Sequence, residues 1–272
     1  MPVPTPATDE GRAGLAALLA EPGRALLGVD FDGTLSPIVA DPAQARAHPE
    51  VVDLLRRMGA HGVRVAVVTG RPASVAVEYG GLADVPGLVV LGHYGQQRWE
   101  DGRVSTPEEV PGLATVRDRL PGLLAEAGAS EGTWVEDKGR AVAVHTRRSS
   151  DPHAAFDRLR GPLEALADKT GLVVEPGRLV LELRPPGGDK GDAVRALADE
   201  HAPSAVVFMG DDLGDLPAFS AVAELRSHGV PGLLVCSGST EVSALAERAD
   251  LVVDGPDGVV ALLRSLLQEL DS

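Results

Sequence analysis

Apolar residues come in short, near-continuous runs: Ala25–Val29, Val63–Val68, Leu88–Leu91, Ala205–Met209, Gly232–Cys236 and Leu251–Val253. Runs this short and this uniformly apolar predict strands buried on both faces, the first from about Leu26 to Asp30. Between them the apolar positions return with helical spacing. That spacing predicts helices over residues 9–20 (Leu15, Leu18 and Leu19 on one face, Thr8 or Asp9 as cap), 49–58, 72–79, 190–201, 213–221, 241–248 and 258–270. Pro37 and Pro42 keep residues 36–47 an irregular loop, and the Pro-rich stretch Met1–Thr8 is expected to be disordered. Strand and helix in alternation with short connections argue for a parallel sheet covered on both faces.

The alternation breaks in the middle of the chain. Residues 96–99 and 103–105 flank Asp101-Gly102, a hairpin signal. A helix over 111–127, strands over 133–136 and 141–145, a helix over 151–169 and strands over 172–175 and 179–183 then describe a small α+β domain with an antiparallel sheet. The first pattern resumes after Pro185-Pro186. One domain is therefore expected to interrupt another: a tail and short helix over 1–23, core over 24–106, an inserted domain over 107–186, and core again over 187–272.

Composition narrows the partners. The 272 residues carry a net charge of −15, with 44% hydrophobic and 24% charged residues. Such an acidic surface repels nucleic acid and anionic lipid, so neither is expected as a partner, and an anionic substrate requires a local cation. Cys236 is the sole cysteine, which excludes an intrachain disulfide and a thiolate cluster. No apolar run approaches the roughly 20 residues of a membrane span. The N-terminus lacks the basic and apolar regions of a secretory signal, so the expectation is a cytoplasmic protein.

Four motifs fall at predicted strand ends or helix starts: Asp30-Phe31-Asp32-Gly33-Thr34, Thr69-Gly70-Arg71, Gly188-Asp189-Lys190-Gly191 and Gly210-Asp211-Asp212-Leu213-Gly214-Asp215. Each has a bland explanation. Asp30 and Asp32 could end a strand in a turn, Thr69-Gly70 could be an ordinary turn, Asp211, Asp212 and Asp215 could be helix N-terminal acids, and Lys190 could be a solvated lysine. Together, at the one edge where the loops of an open parallel sheet meet, they point to phosphoryl transfer. A carboxylate can attack phosphorus, and a hard divalent cation such as Mg2+ binds one or two carboxylates plus phosphate. Asp30 and Asp211 are candidate ligands, with Asp212 and Asp215 holding waters. The Thr69 hydroxyl, the Gly70 amide and Lys190 are candidates for the phosphate oxygens. Asp32 is the candidate general acid and base, its proton favoured by a like-charged neighbour and partial burial.

The four motifs resemble the haloacid dehalogenase superfamily in its Asp-nucleophile phosphatase branch. The fold this implies is α/β: a Rossmann-like parallel-sheet core with an inserted α+β cap of order αββαββ. A finer resemblance, to the trehalose-6-phosphate phosphatase family, rests on residues 30–38, Val135-Glu136-Asp137-Lys138-Gly139, His145 with Arg147, Glu182-Leu183-Arg184-Pro185, Asp189-Lys190-Gly191 and Gly210-Asp211-Asp212. It implies Mg2+-dependent hydrolysis of trehalose 6-phosphate through an aspartyl-phosphate, with Asp30 as nucleophile and the Asp32 carbonyl as a further metal ligand. It also implies substrate contacts at Asp30, Phe31, Asp32, Gly70 and Arg71, sugar contacts at Glu136, Lys138, Glu182 and Arg147, a cap that closes over the disaccharide, and a functional link to a synthase of the phosphosugar. The chain departs from the family pattern at Gly214-Asp215-Leu216 and around His93, Tyr94, Gly95 and Gln96. The alternatives are a phosphatase of another sugar phosphate (sucrose phosphate, mannosyl-phosphoglycerate or a monosaccharide phosphate) and a regulatory phospho-acceptor domain.

Overall fold

A computed structural model describes residues 3–39, 41–105, 111–238 and 243–272. Its strands are β1 (Ala25–Val29), β2 (Arg64–Val68), β3 (Val89–Gly92), β4 (Gln97–Glu100), β5 (Arg103–Ser105), β6 (Trp134–Asp137), β7 (Val142–His145), β8 (Val173–Gly177), β9 (Val180–Arg184), β10 (Ala205–Gly210), β11 (Gly232–Gly238) and β12 (Leu251–Asp254). Its helices are α1 (Asp9–Ala20), α2 (Val51–Ala60), α3 (Ala73–Gly80), α4 (Pro111–Glu126), α5 (Pro152–Thr170), α6 (Lys190–His201), α7 (Leu216–Ser227), α8 (Ser243–Ala246) and α9 (Gly255–Leu270). The chain forms two compact units, Met1–Thr106 with Gly188–Ser272, and Pro107–Gly187. Thr106 and Pro107, where the sequence places the first boundary, lie outside the described residues.

The first unit holds an eight-stranded sheet in the order β12-β11-β10-β1-β2-β3-β4-β5. The six strands from β12 to β3 are parallel, and β4 and β5 add an antiparallel hairpin at one edge. Strand alternation sends successive side chains to opposite faces. Leu27, Val29, Val65, Val67, Val207 and Met209 join one core, with Leu54, Leu55 and Met58 of α2 and Leu262, Leu263 and Leu266 of α9. Leu26, Ala66, Val68, Val206, Phe208 and Cys236 join another, with Val194 and Leu197 of α6 and Phe219 and Val222 of α7. Both faces are thus covered, which is why these strands read as continuous apolar runs.

The N-terminal stretch differs from expectation. From Val3 onward it is ordered: Val3 packs on the first core, the Ala7 amide donates to the Asp250 carbonyl at 2.8 Å, and Thr8 caps α1 through the Gly11 amide at 2.9 Å. Proline content could not reveal this, because the tether is a tertiary contact with Asp250. The helix expected from residue 213 begins with a 3-10 turn, Leu213–Asp215, before α7. Of the helix expected over 241–248, Glu241 and Val242 lie outside the described residues.

The second unit is α4, β6, β7, α5, β8 and β9, with an antiparallel sheet of order β6-β7-β9-β8. Leu113, Val116 and Leu120 of α4 and Leu159, Leu163 and Leu166 of α5 bury Val142, Val144, Leu181 and Leu183. Because side chains alternate, the register then puts Trp134, Glu136, Ala143, His145 and Glu182 on the sheet's other face.

Candidate active site

The central strands set the site. β1 lies between β10 and β2, all parallel, so the segments beginning at Asp30, Thr69 and Asp211 leave the sheet at one carboxyl edge. The chain runs from β1 to β2 on one side and reaches β10 on the other, so this is the switch point where open α/β sheets bind ligands. The Asp30 amide donates to the Met209 carbonyl at 2.9 Å, which extends the β1–β10 ladder to the carboxylate itself. The Leu35 and Ser36 amides both donate to the Phe31 carbonyl at 2.9 Å, folding residues 31–36 into a tight loop. Gly33 is required in it: φ is +78°, and a Cβ there would meet Asp211 Oδ2 at 2.0 Å. Ser237 of β11 steadies the loop, its buried hydroxyl donating to the Gly33 carbonyl at 2.7 Å.

Lys190 is the first residue of α6, which Asp189 caps in a reciprocal box with Asp192. Its ammonium lies 2.7 Å from Asp30 Oδ1 and 2.7 Å from Asp215 Oδ1. Asp215 Oδ2 accepts the Asp211 and Asp212 amides at 2.9 and 3.2 Å. Asp30 is 4% exposed, Asp211 4% and Asp215 0%. Burial pushes Asp30 well above the usual carboxylate range despite the pull of Lys190. Burial, with the Asp212 and Asp215 charges, pushes Asp211 up to about 8. Asp215 is also raised, chiefly by burial. Loss of solvation works against the Lys190 ammonium, but the Asp215 and Asp30 carboxylates hold its pKa well above the usual lysine value.

One ammonium facing three buried carboxylates leaves negative charge in excess, and a further cation would offset it. Asp30, Asp211 and Asp215 each offer an oxygen, all within 4.8 Å of one another. Asp211 Oδ1 is buried with no hydrogen-bond partner among the described residues. An all-oxygen donor set with an orphaned carboxylate oxygen fits a hard divalent cation. Asp215 was expected to hold water around a metal; its place inside this cluster and against Lys190 depends on the turn that follows Asp212. Asp212 itself is exposed, its Oδ1 accepting the Gly214 amide at 2.8 Å as the cap of that turn.

Asp32 differs from expectation. Its two oxygens accept from Arg71 Nε and Nη2 at 2.7 Å each, and its side chain is 41% exposed. The group it faces is a guanidinium, not the expected like charge. Arg71, expected on substrate, also donates to the Pro42 carbonyl at 3.0 Å and lies 5.5 Å from the ring centroids of Phe31 and Tyr79. The pair spans 39 residues, so motif spacing could not reveal it. Thr69 is buried, and its hydroxyl accepts the Arg71 amide at 3.1 Å. The His93 and Tyr94 amides donate to the Arg71 and Thr69 carbonyls at 3.0 Å each, from left-handed backbone at φ 48° and 58°. The divergent segment at His93 therefore braces the Thr69 loop. The Tyr94 phenol covers Gly70, where a Cβ would meet its oxygen at 2.8 Å.

In the second unit, Lys138 and Glu182 form an ion pair. Glu136 Oε2 lies 2.8 Å from His145 Nε2. Arg147 is exposed and donates to the Arg178 carbonyl at 3.2 Å. Sequence reasoning noted His145 but gave it no role, and it passed over Trp134, whose ring stacks on His145 at 4.3 Å. The i to j+2 relation across β6 and β7 that brings His145 to Glu136 is a matter of register, not of motif.

The trehalose-phosphatase family profile matches residues 28–253. The chain belongs to the trehalose-phosphatase family. It is 31% identical over 261 residues to a trehalose-phosphate phosphatase of Mycobacterium marinum, covering 89% of this chain and 61% of that protein. A Mycobacterium leprae trehalose-phosphate phosphatase is 30% identical over 256 residues, covering 89% and 57%. The chain thus spans about 60% of the length of these curated relatives. Its fold matches the C-terminal domain of a C. albicans trehalose-6-phosphate phosphatase with TM-score 0.75 at 21% identity, covering 98% of this chain and 99% of that one. A trehalose-6-phosphate phosphatase related protein matches with TM-score 0.70 at 23% identity, covering 89% and 97%. No described helix is long and apolar enough to cross a membrane.

Proposed function

We propose that this member of the trehalose-phosphatase family is a cytoplasmic phosphatase that hydrolyses trehalose 6-phosphate to trehalose and phosphate. Membership of the family supports the substrate. The observation that carries the reaction is the buried cluster of Asp30, Lys190, Asp211 and Asp215, with Asp32 two residues from Asp30 on the same loop. Asp30 attacks phosphorus with one carboxylate oxygen, the bond from phosphorus to the sugar oxygen breaks, and an acyl phosphate forms on Asp30. Asp32 gives a proton to the departing sugar oxygen, then takes one from the water that attacks the acyl phosphate and restores Asp30. Arg71 holds both Asp32 oxygens in the structure, and this pair must open for Asp32 to carry the proton. Lys190, the Thr69 hydroxyl and the Gly70 amide balance charge on the phosphoryl oxygens.

Asp30, Asp211 and the Asp32 carbonyl would hold Mg2+, with Asp215 beside them. Bound there, the ion would offset negative charge on the phosphoryl group. Glu136, Lys138, Glu182 and Arg147 take sugar hydroxyls, the inserted unit acting as the family's cap. A trehalose-6-phosphate synthase is the expected source of the substrate.

A panel of phosphosugars tests the reading, with phosphate release followed in Mg2+ and in EDTA. Trehalose 6-phosphate should turn over many times per enzyme, faster than sucrose 6-phosphate or glucose 6-phosphate, and only with the ion. Equal rates across the panel would refute the substrate, and a single turnover would indicate a phospho-acceptor domain instead.

A further inference from the structure

Glu182 is 6% exposed, and its Oε1 is buried with no hydrogen-bond partner among the described residues, while Lys138 engages Oε2. An orphaned carboxylate oxygen in a native fold calls for a donor, and a sugar hydroxyl supplies one. Across the same face, Glu136, Ala143 and Glu182 are register partners on β6, β7 and β9. At the usual strand spacing this sets the two carboxylates about 10 Å apart at the backbone, with only a methyl group between them. Glu136 exposes 44% of its side chain, so its direction needs a second support.

His145 provides that support. Its Nε2 lies 2.8 Å from Glu136 Oε2, and because an ionised carboxylate only accepts, the imidazole proton is on Nε2. The imidazole is itself held. Trp134 and His145 are directly paired residues of β6 and β7, and their rings stack at 4.3 Å between centroids with 5° between planes. The Arg148 guanidinium lies 4.5 Å from the Trp134 ring centroid and completes the stack. Stacking fixes the imidazole plane, the plane fixes the N–H direction, and the N–H fixes the carboxylate.

We propose that His145, clamped by Trp134, is the positioning residue that aims Glu136 at a sugar hydroxyl, so that selectivity for a disaccharide phosphate runs through Trp134, His145 and Glu136. This rests on the sugar-phosphate reading above and adds two residues to it. His145 touches the carboxylate, not the reacting atoms, so its loss acts on substrate affinity and not on phosphoryl chemistry.

The test compares His145→Phe, which keeps a ring for Trp134 but has no donor, with His145→Gln, which keeps a donor but no ring. Each is assayed on trehalose 6-phosphate and p-nitrophenyl phosphate, with thermal melting alongside. In His145→Phe the ratio of kcat/KM for trehalose 6-phosphate over the aryl phosphate should fall on the order of tenfold, through KM. His145→Gln, which keeps a donor without the stack, should recover only part of it. Equal losses on both substrates, a ratio unchanged in His145→Phe, or a glutamine variant restored to the full wild-type ratio would overturn the proposal. If the unmutated enzyme shows no preference for trehalose 6-phosphate over p-nitrophenyl phosphate, the substrate reading fails, and the proposal with it. A preference that survives in His145→Phe overturns this proposal alone.

Discussion

Lys190→Met removes the only positive charge seen in contact with Asp30 and Asp215 among the described residues. The side chain is 5% exposed and lies 2.7 Å from both carboxylates, whose own side chains are 6% and 0% exposed. Methionine nearly conserves the volume, so packing changes little. What is lost is charge compensation, and breaking a buried pair by removing one partner costs about 3–5 kcal/mol. At about 2–4 °C per kcal/mol for a domain of this size, the metal-free variant should melt about 6–20 °C below the wild type. The stranded carboxylates can shed charge by taking protons, so the gap should narrow toward pH 5. Mg2+ should raise the variant's melting temperature more than the wild type's, because it restores positive charge where the ammonium stood. Melting followed by circular dichroism in EDTA, then in millimolar Mg2+, measures both effects. A variant that melts within about 2 °C of the wild type in EDTA would refute the view that Lys190 compensates these carboxylates.

Three further outcomes follow from the same geometry. In EDTA, stability should fall as pH rises from about 5 to 8: carboxyls whose folded pKa is raised, Asp211 to about 8, hold protons that the unfolded chain has released. The slope reaches about 1.4 kcal/mol per pH unit per such group, and denaturant titrations with a flat or rising profile would contradict it. Asp30→Asn should reduce phosphate release at least a thousandfold, on the order expected for loss of a nucleophile, and appreciable residual turnover would remove Asp30 from that role. Cys236 is buried, and burial with the Asp211 and Asp215 charges pushes its thiol up to about 11. Ellman's reagent at pH 8 should therefore label it only after unfolding, and rapid native labelling would show the β11 core to be open.

The parallel sheet was legible because strands buried on both faces leave uninterrupted apolar runs, as in Leu26–Val29 and Val206–Met209. Helix spacing and the two pairs of short apolar runs between and after the helices exposed the inserted unit in the same way. The motif residues, Asp30, Thr69 and Asp211 at strand ends and Lys190 at a helix start, were legible because together they call for more than turns and surface charges. These readings use only neighbours in sequence, where period and residue type determine local structure.

Partners far apart in sequence were not legible. Arg71 on Asp32, Lys190 on Asp30, Ser237 on the Gly33 carbonyl and Asp250 under the N-terminal stretch each depend on strand order and on the rotamers that packing selects. The sequence by itself determined which residues end the strands and which chemistry they can perform. The tertiary structure decided their burial and direction. It buried Asp30, Asp211 and Asp215 around one ammonium, and it turned Asp32 to a guanidinium. It also stacked Trp134 on His145 beside Glu136. Desolvation and hydrogen-bond geometry are properties of surroundings, and the surroundings exist only once the strands are registered.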